Sequence, residues 1–342
     1  MELKEIITRL CETASPSGFE EGVRDVAAEL LGPYADEIKT DVMGNFAAFL
    51  SGGEGPTLML SAHMDEIGLI ITGHEERGFL RFAAIGGVDI RMLPAQQVKV
   101  MTDPPIEGII SVMPPHVLSH EEMEKVTPVD GLYIDTGLSA EDTKRRIPQG
   151  THAVLSVGVG ELSNGFLHGR GLDDKACAAI LIKVFEELSK VRPKVNIALL
   201  LTVQEELGRR GAGAGAYTIK PDCAIALDAT FGETPDSKPE ATFKLGSGAA
   251  IGVGPSLNKK MTNKLFEIAR RLEIPHETEV LAGDSGTDAW AMEISRGGIP
   301  TALVSLPLRY MHSPVEVISI ADAEMVAKLV TEYAKCAAEV EL

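Results

Sequence analysis

The sequence predicts an α/β fold: a central, mostly parallel sheet flanked by helices, interrupted by a β-rich, barrel-like insert. Three observations carry this reading. Outside residues 68–161, short aliphatic runs alternate with stretches of helical period, the pattern of strand–helix units around a parallel sheet. Within 68–161 the helical period nearly vanishes, and β-like runs are broken by Gly and Pro clusters. The most apolar runs end in His or carboxylate side chains, which suits the carboxyl edge of such a sheet, where ligands bind.

With 342 residues the chain is long enough for two domains and a large core. Its 44% hydrophobic and 24% charged residues are an ordinary globular balance. A net charge of −18 without a Lys/Arg cluster argues against a nucleic-acid partner, because nothing offsets phosphate repulsion. No apolar run approaches the ~20 residues of a membrane span, and the amphipathic N-terminus lacks a signal-peptide core. No membrane partner and a cytoplasmic location are therefore expected. Cys11, Cys177, Cys223 and Cys336 are widely spaced with no CxxC pair, so reduced core thiols are expected.

Leu3, Ile6, Ile7 and Leu10 recur at helical spacing and open the chain with a helix. Ser15-Pro16-Ser17-Gly18 breaks it, and a second helix follows with Val23, Val26, Leu30 and Leu31 inward, stopping at Gly32-Pro33. A hairpin turns at Met43-Gly44-Asn45 into a strand over 46–50. A buried strand over 57–62 delivers His63-Met64-Asp65 at its carboxyl end. In the insert, strands are expected over 68–72, 79–84, 97–101, 106–112 and 153–157, with a polar helical piece near 119–125. The α/β texture returns at Gly165. A helix through about Lys190 opens at Gly169-Arg170-Gly171-Leu172-Asp173-Asp174-Lys175, with Ala178, Leu181, Ile182, Phe185 and Leu188 inward. A strand over 195–202 leads into Glu205-Glu206, and the small-residue run 211–216 suits a tight turn entering a helix. A strand over 223–227 delivers Asp228. Beyond it come a strand near 249–253, a helix near 263–272, a short helix over 287–294, and a strand over 299–306 followed by a loop to His312. An amphipathic helix from near Ala321 to Glu341 closes the chain.

Ending a buried strand in Glu205-Glu206 costs free energy unless a cation or a moving proton requires the charge. His63, Glu205-Glu206 and Asp228 sit at strand ends, with Asp173 and His312 on adjoining loops, so separate segments aim His and carboxylates at one crevice. Two His with several carboxylates and no Cys suit a divalent ion such as Zn²⁺, Co²⁺ or Mn²⁺. Asp173, Glu206 and Asp228 with a shared hydroxide balance two such ions, where one would leave excess negative charge. A carboxylate two residues after His63, that of Asp65, can bond the far ring nitrogen and raise its basicity. Glu205, beside a ligand but free of metal, can take a proton from water and return it to a leaving amine.

These residues carry a resemblance. Ala62-His63-Met64-Asp65-Glu66-Ile67-Gly68, Leu172-Asp173-Asp174-Lys175, Gln204-Glu205-Glu206-Leu207-Gly208, Asp228, Gly286-Thr287-Asp288-Ala289 and Tyr310-Met311-His312-Ser313-Pro314 match, in order, the motifs of the glutamyl/deblocking aminopeptidases. This is metallopeptidase family forty-two, the tetrahedral aminopeptidases, whose members are sometimes labelled endoglucanases. The resemblance spans nearly the whole chain and implies a zinc-peptidase-like fold. It implies a dinuclear site bridged by Asp173, with His63 and Asp228 on one ion and Glu206 and His312 on the other. Glu205 would be the general base and Asp65 the orienter of His63. Residues 1–67 and 162–342 would form the catalytic α/β domain, and 68–161 an inserted dimerisation domain. Homodimers would assemble into tetrahedral dodecamers that trim peptides from a free amino end. Two departures stand out: Arg209 after the Glu pair, expected in solvent or against an acidic substrate side chain, and Lys175-Ala176-Cys177 in place of the usual Arg and Gly.

Three rival functions fit parts of this pattern. A glycoside hydrolase would use Glu205 with a second carboxylate but leaves the histidines without a role. A carboxypeptidase or deacylase of the same fold shares the metal logic. A non-catalytic assembly protein would use only the β-rich insert.

Overall fold

The computed structural model describes residues 1–339. Four parallel strands form the centre of an eleven-stranded sheet, in the spatial order Asn196–Thr202, Thr57–His63, Cys223–Phe231 and Thr301–Arg309. Antiparallel strands extend it on both sides. Phe46–Leu50 and Glu37–Thr40 lie beyond Asn196–Thr202, and Glu316–Ser319, Phe166–Gly169 and Gly160–Leu162 lie beyond Thr301–Arg309. Ala249–Val253 branches off Thr301–Arg309 and carries His276–Val280 in parallel.

The central strands are apolar throughout because both faces are covered. Leu58, Leu60 and Ala62, with Ile197, Leu199 and Leu201, enter one layer with helices Leu3–Glu12, Glu21–Leu31, Leu172–Val191, Lys259–Arg271 and Ile320–Cys336. Met59, Ala198, Leu200, Ala224 and Ala226 face the other layer, built by helices Arg210–Ile219 and Asp288–Glu293. Small side chains there let the second layer approach closely: a Cβ on Gly215 would lie 2.7 Å from a Leu200 methyl. The run 211–216, expected to form a turn, is therefore the body of a helix. The turn lies earlier, where Gln204, Gly208 and Arg209 take positive φ.

Six strands between Gly68 and Leu155 close a barrel in the order Gly68–His74, Leu80–Ile85, Ile134–Asp135, Ile106–Ile110, Gln97–Val100 and His152–Leu155. Leu69, Leu80, Val98, Ile110 and Ile134 fill it. Ile134–Asp135 carries too few residues for a period-two signal, and no strand was expected there. The chain rejoins the large sheet at Gly160–Leu162. The last helix spans Ile320–Cys336, and the end expected for it, Glu341, lies outside the described residues. Among the described residues no helix is long and apolar enough to cross a membrane.

One buried carboxylate ties the end of Thr57–His63 to the start of Leu172–Val191. Glu66 accepts hydrogen bonds from Arg170, from Lys175 Nζ at 2.9 Å and from the Ser15 amide at 2.8 Å. Burial alone would raise its pKa, but Arg170 and Lys175 outweigh that and hold the carboxyl below its ordinary range. Replacing Glu66 by Ala leaves two buried cations unpaired, so a loss of about 3–5 kcal/mol in urea unfolding is expected. A loss under about 1 kcal/mol would show that the cations find other compensation.

Candidate metal centre

The parallel strands deliver their carboxyl ends to one place. Thr202 stands beside His63 in register, and Asp228 beside Ser305. His63 Nε2 lies 3.3 Å from Asp173 Oδ1 and 3.9 Å from Asp228 Oδ1. His312 Nε2 lies 3.5 Å from Asp173 Oδ2 and 3.2 Å from Glu206 Oε1. Asp173 thus turns one oxygen to each imidazole. His63, Glu206, Asp228 and His312 stand around this carboxylate, and Glu205 lines the same cavity.

Both rings are held through Nδ1 by backbone carbonyls, that of Asp65 for His63 at 3.1 Å and that of Gly87 for His312 at 3.1 Å. With Nδ1–H donated there, each Nε2 faces Asp173 and, once deprotonated, would offer its lone pair to a cation. Gly87 must be glycine: a Cβ would stand 2.6 Å from His312 Nδ1. The segment leaving the barrel strand Leu80–Ile85 therefore forms one wall of the centre.

Asp65 differs from its sequence reading. Its carboxylate stands 3.6 Å from His63 Nδ1, and its carbonyl takes the ring instead. The carboxylate is engaged by the Glu205 amide at 3.0 Å, the Glu206 amide at 3.2 Å and Ser17 Oγ at 2.6 Å. Three donors engage it, so Asp65 fixes the backbone of the Glu pair while its carbonyl takes the His63 ring and its carboxylate stands beside Nδ1.

The electrostatics are those of a crowded anionic pocket. Burial pushes Glu205 up to about 8, with Asp288, Glu206 and Asp65 adding to the rise against His63. Burial likewise raises Asp228 far above its ordinary value, opposed by His63. Hydrogen bonds to Asp173 and Glu206 lift His312 to about 11. Burial opposes charge on His63, yet Asp173, Asp65 and Asp228 hold its pKa well up. Asp173 stays ionised because both histidines outweigh its burial.

The donor set fits two divalent cations. It comprises two imidazoles with free Nε2 atoms, several carboxylates and no thiolate, which suits a borderline ion. Asp228 Oδ2 is buried without a hydrogen-bond partner. Two groups of ligand atoms cluster closely enough to share an ion: His63, Asp173 and Glu206, and His63, Asp174 and Asp228. Asp174 was not among the expected ligands. Both its oxygens are buried beside Cys177, and burial raises its pKa far above the ordinary value.

Sequence reasoning also missed Glu316. This buried carboxylate accepts from the Asp173 amide at 3.0 Å and from the His312 amide at 3.2 Å, clamping two segments of the centre. The signal was a lone charge inside the apolar run Val315-Glu316-Val317-Ile318. Arg209, expected in solvent or against substrate, instead pairs twice with Asp284, one contact being 2.9 Å.

Known proteins share this architecture. The family described as M42 glutamyl aminopeptidase matches residues 44–329. The chain is 35% identical over 333 residues to lysyl aminopeptidase of Pyrococcus furiosus, covering 95% of this chain and 94% of the other. Its fold superposes on the TET aminopeptidase of Thaumarchaeota archaeon SCGC AB-539-E09 with a TM-score of 0.92, 30% identity and 97% and 96% coverage. Pyrococcus horikoshii TET1 peptidase, which can assemble into a tetrahedron or a large octahedral shell, gives 0.86 at 31% identity over 97% and 99%. A Thermotoga maritima structure called an endoglucanase gives 0.80 at 29% identity over 98% of each chain.

Neighbouring carboxylates raise the pKa of both His63 and His312, and a ligand imidazole must lose its proton. Apparent affinity for a divalent ion should therefore rise with pH through the neutral range. Calorimetry in buffers of differing ionisation enthalpy should record net proton release on loading. Binding independent of pH would contradict the assignment of both imidazoles.

Proposed function

The chain belongs to the M42 glutamyl aminopeptidase family and is a metal-dependent aminopeptidase, and from that premise we propose how its residues divide the work. His63, Asp173 and Asp228 hold one ion; Asp173, Glu206 and His312 hold the other. The observation that supports this best is the placement of Asp173, one oxygen toward each imidazole. Asp173 rather than Asp174 is the bridge because Asp174 has no second imidazole beside it. When bound, two divalent ions lower the pKa of water and polarise the scissile carbonyl. Zinc or cobalt fits the nitrogen-and-oxygen donor set, with manganese as the harder alternative.

Glu205 takes a proton from the attacking water and hands it to the departing amine. Its burial, which raises its pKa, suits a carboxyl that must both take up and give back a proton. Asp65 holds the Glu205 and Glu206 amides and so fixes the base against its neighbour. Peptides with a free amino end are the substrates.

The barrel of residues 68–161 serves as a dimerisation domain, and dimers build a closed tetrahedral dodecamer. The support is the barrel's exposed apolar side chains, Val112, Met113 and Val117 among them, together with the assembly of the Pyrococcus horikoshii relative. Four free cysteines suit the reducing cytoplasm. An endoglucanase activity would leave both imidazoles without a role. Aminoacyl-p-nitroanilides assayed against carboxymethyl cellulose, with and without chelator, separate these activities.

Replacing Glu205 by Gln should cut kcat by at least about 100-fold while two metal ions per chain remain bound. Normal turnover in that variant would overturn the base assignment. Loss of metal would make Glu205 a ligand instead.

A further inference from the structure

The segment that carries Glu205 is held from outside itself. Residues 203–206 leave the strand Asn196–Thr202 in a tight turn. The carbonyls of Val203, Gln204 and Glu205 accept locally, from amides of residues 208–211. The amides of 203–206 each donate instead to a side chain from a distant part of the chain. Val203 donates to Asn45 Oδ1 at 3.0 Å and Gln204 to Glu20 Oε1 at 3.3 Å. Glu205 and Glu206 donate to the two oxygens of Asp65. Gln204 is the strained member, with a φ of 55°. A residue with a side chain keeps that left-handed conformation only where its surroundings fix it.

Glu20 is a buried carboxyl that the metal chemistry does not use, and it is not among the described residues that line the cavity. It ends the link between helices Leu3–Glu12 and Glu21–Leu31. That link is anchored along the strand end that bears His63. Ser15 Oγ donates to the Met64 carbonyl at 2.8 Å, the Ser17 amide to the Glu66 carbonyl at 3.2 Å, and Ser17 Oγ to Asp65 at 2.6 Å. Past these anchors Gly18 turns the chain at a φ of 88°, and its amide donates to Glu20 Oε1 at 2.7 Å. One oxygen of Glu20 thus joins two turns, the link beside His63 and the segment of the Glu pair. Burial lifts this carboxyl to about 7, and its contacts with Gly18 and Gln204 do not offset the rise. A carboxyl kept at such a cost calls for a function.

We propose that Glu20 is a positioning residue for the reaction: by accepting from the Gln204 amide, it fixes the turn that aims the Glu205 carboxyl into the cavity. This rests on Glu205 being the general base, as above, and adds the group that keeps the base in place. Asp65 holds only the two amides after Gln204. Without Glu20 the strained residue is free to relax, and the peptide leading into Glu205 rotates.

The test uses the full-length enzyme loaded with zinc or cobalt, as wild type, as Glu20→Ala, which removes the acceptor, and as Glu20→Gln, which keeps an oxygen for it. Leucyl-p-nitroanilide kinetics, metal content and deuterium exchange of residues 203–208 are measured on all three. Glu20→Ala should lower kcat by about 30-fold with KM and metal content unchanged, because a small misplacement of a reacting group costs rate on that order. Glu20→Gln should stay within about threefold of wild type. Exchange at 203–208 should quicken by roughly tenfold in the alanine variant and hold near wild type in the glutamine variant. A kcat in Glu20→Ala within about threefold of wild type overturns the proposal. Equal losses in the two variants also overturn it, because charge rather than the acceptor would then matter. So does a loss that tracks bound metal or folded protein, which places Glu20 in the scaffold alone. Normal turnover of Glu205→Gln would sink the base assignment instead, and the exchange measurement, which needs no turnover, still decides whether Glu20 holds the turn.

Discussion

Asp173 presents one oxygen to each of two imidazoles, and much of the chain is arranged to keep it there. It begins the helix Leu172–Val191, whose start is bound to the neighbouring strand through Glu66, Arg170 and Lys175. Its own amide is held by Glu316, which also holds the amide of His312. His63 closes one parallel strand, and Asp228 lies within its neighbour Cys223–Phe231, which runs past the end expected from the sequence. Parallel pairing is what permits this convergence, because only parallel strands deliver their carboxyl ends to the same edge.

The arrangement concentrates negative charge where water is scarce. Asp174, Asp228, Glu205, Glu206 and Glu316 all have pKa values raised by burial within one region. Such a cluster is tolerable when cations share it, which links metal affinity, proton release and local stability through the same side chains. The centre also draws on the barrel: Gly87, just past a barrel strand, carries the carbonyl that orients His312. An insertion that looks separate in sequence thereby helps set a ligand's tautomer.

The α/β core was legible in the sequence because strands covered on both faces are unbroken apolar runs, as in Ile197–Leu201 and Cys223–Leu227. Thin edge strands were not: Ile134–Asp135 and Gly160–Leu162 are too short for a period to emerge, and they exist through their neighbours. His63, Asp173, Glu205, Glu206, Asp228 and His312 stood out because charges at the ends of buried strands need a reason. Hydrogen-bond choices could not be read in the same way. Asp65 faces three donors from two other segments, so its carboxylate leaves the ring to its carbonyl. Glu316 stood out only as a lone charge in an apolar run, and its role shows once its partners, the Asp173 and His312 amides, are seen from other segments. The run 211–216 misled for a related reason: small residues signal a turn locally, but here they admit a helix against Ala198 and Leu200.

The central claim is that one carboxylate is shared by two cations. Crystals of the cobalt- or zinc-loaded protein, measured above and below the metal absorption edge, test it most directly. The account predicts two anomalous peaks roughly 3.5 Å apart, one beside His63 and one beside His312, with Asp173 between them. A single peak, or two peaks that leave Asp173 uncoordinated, would contradict it.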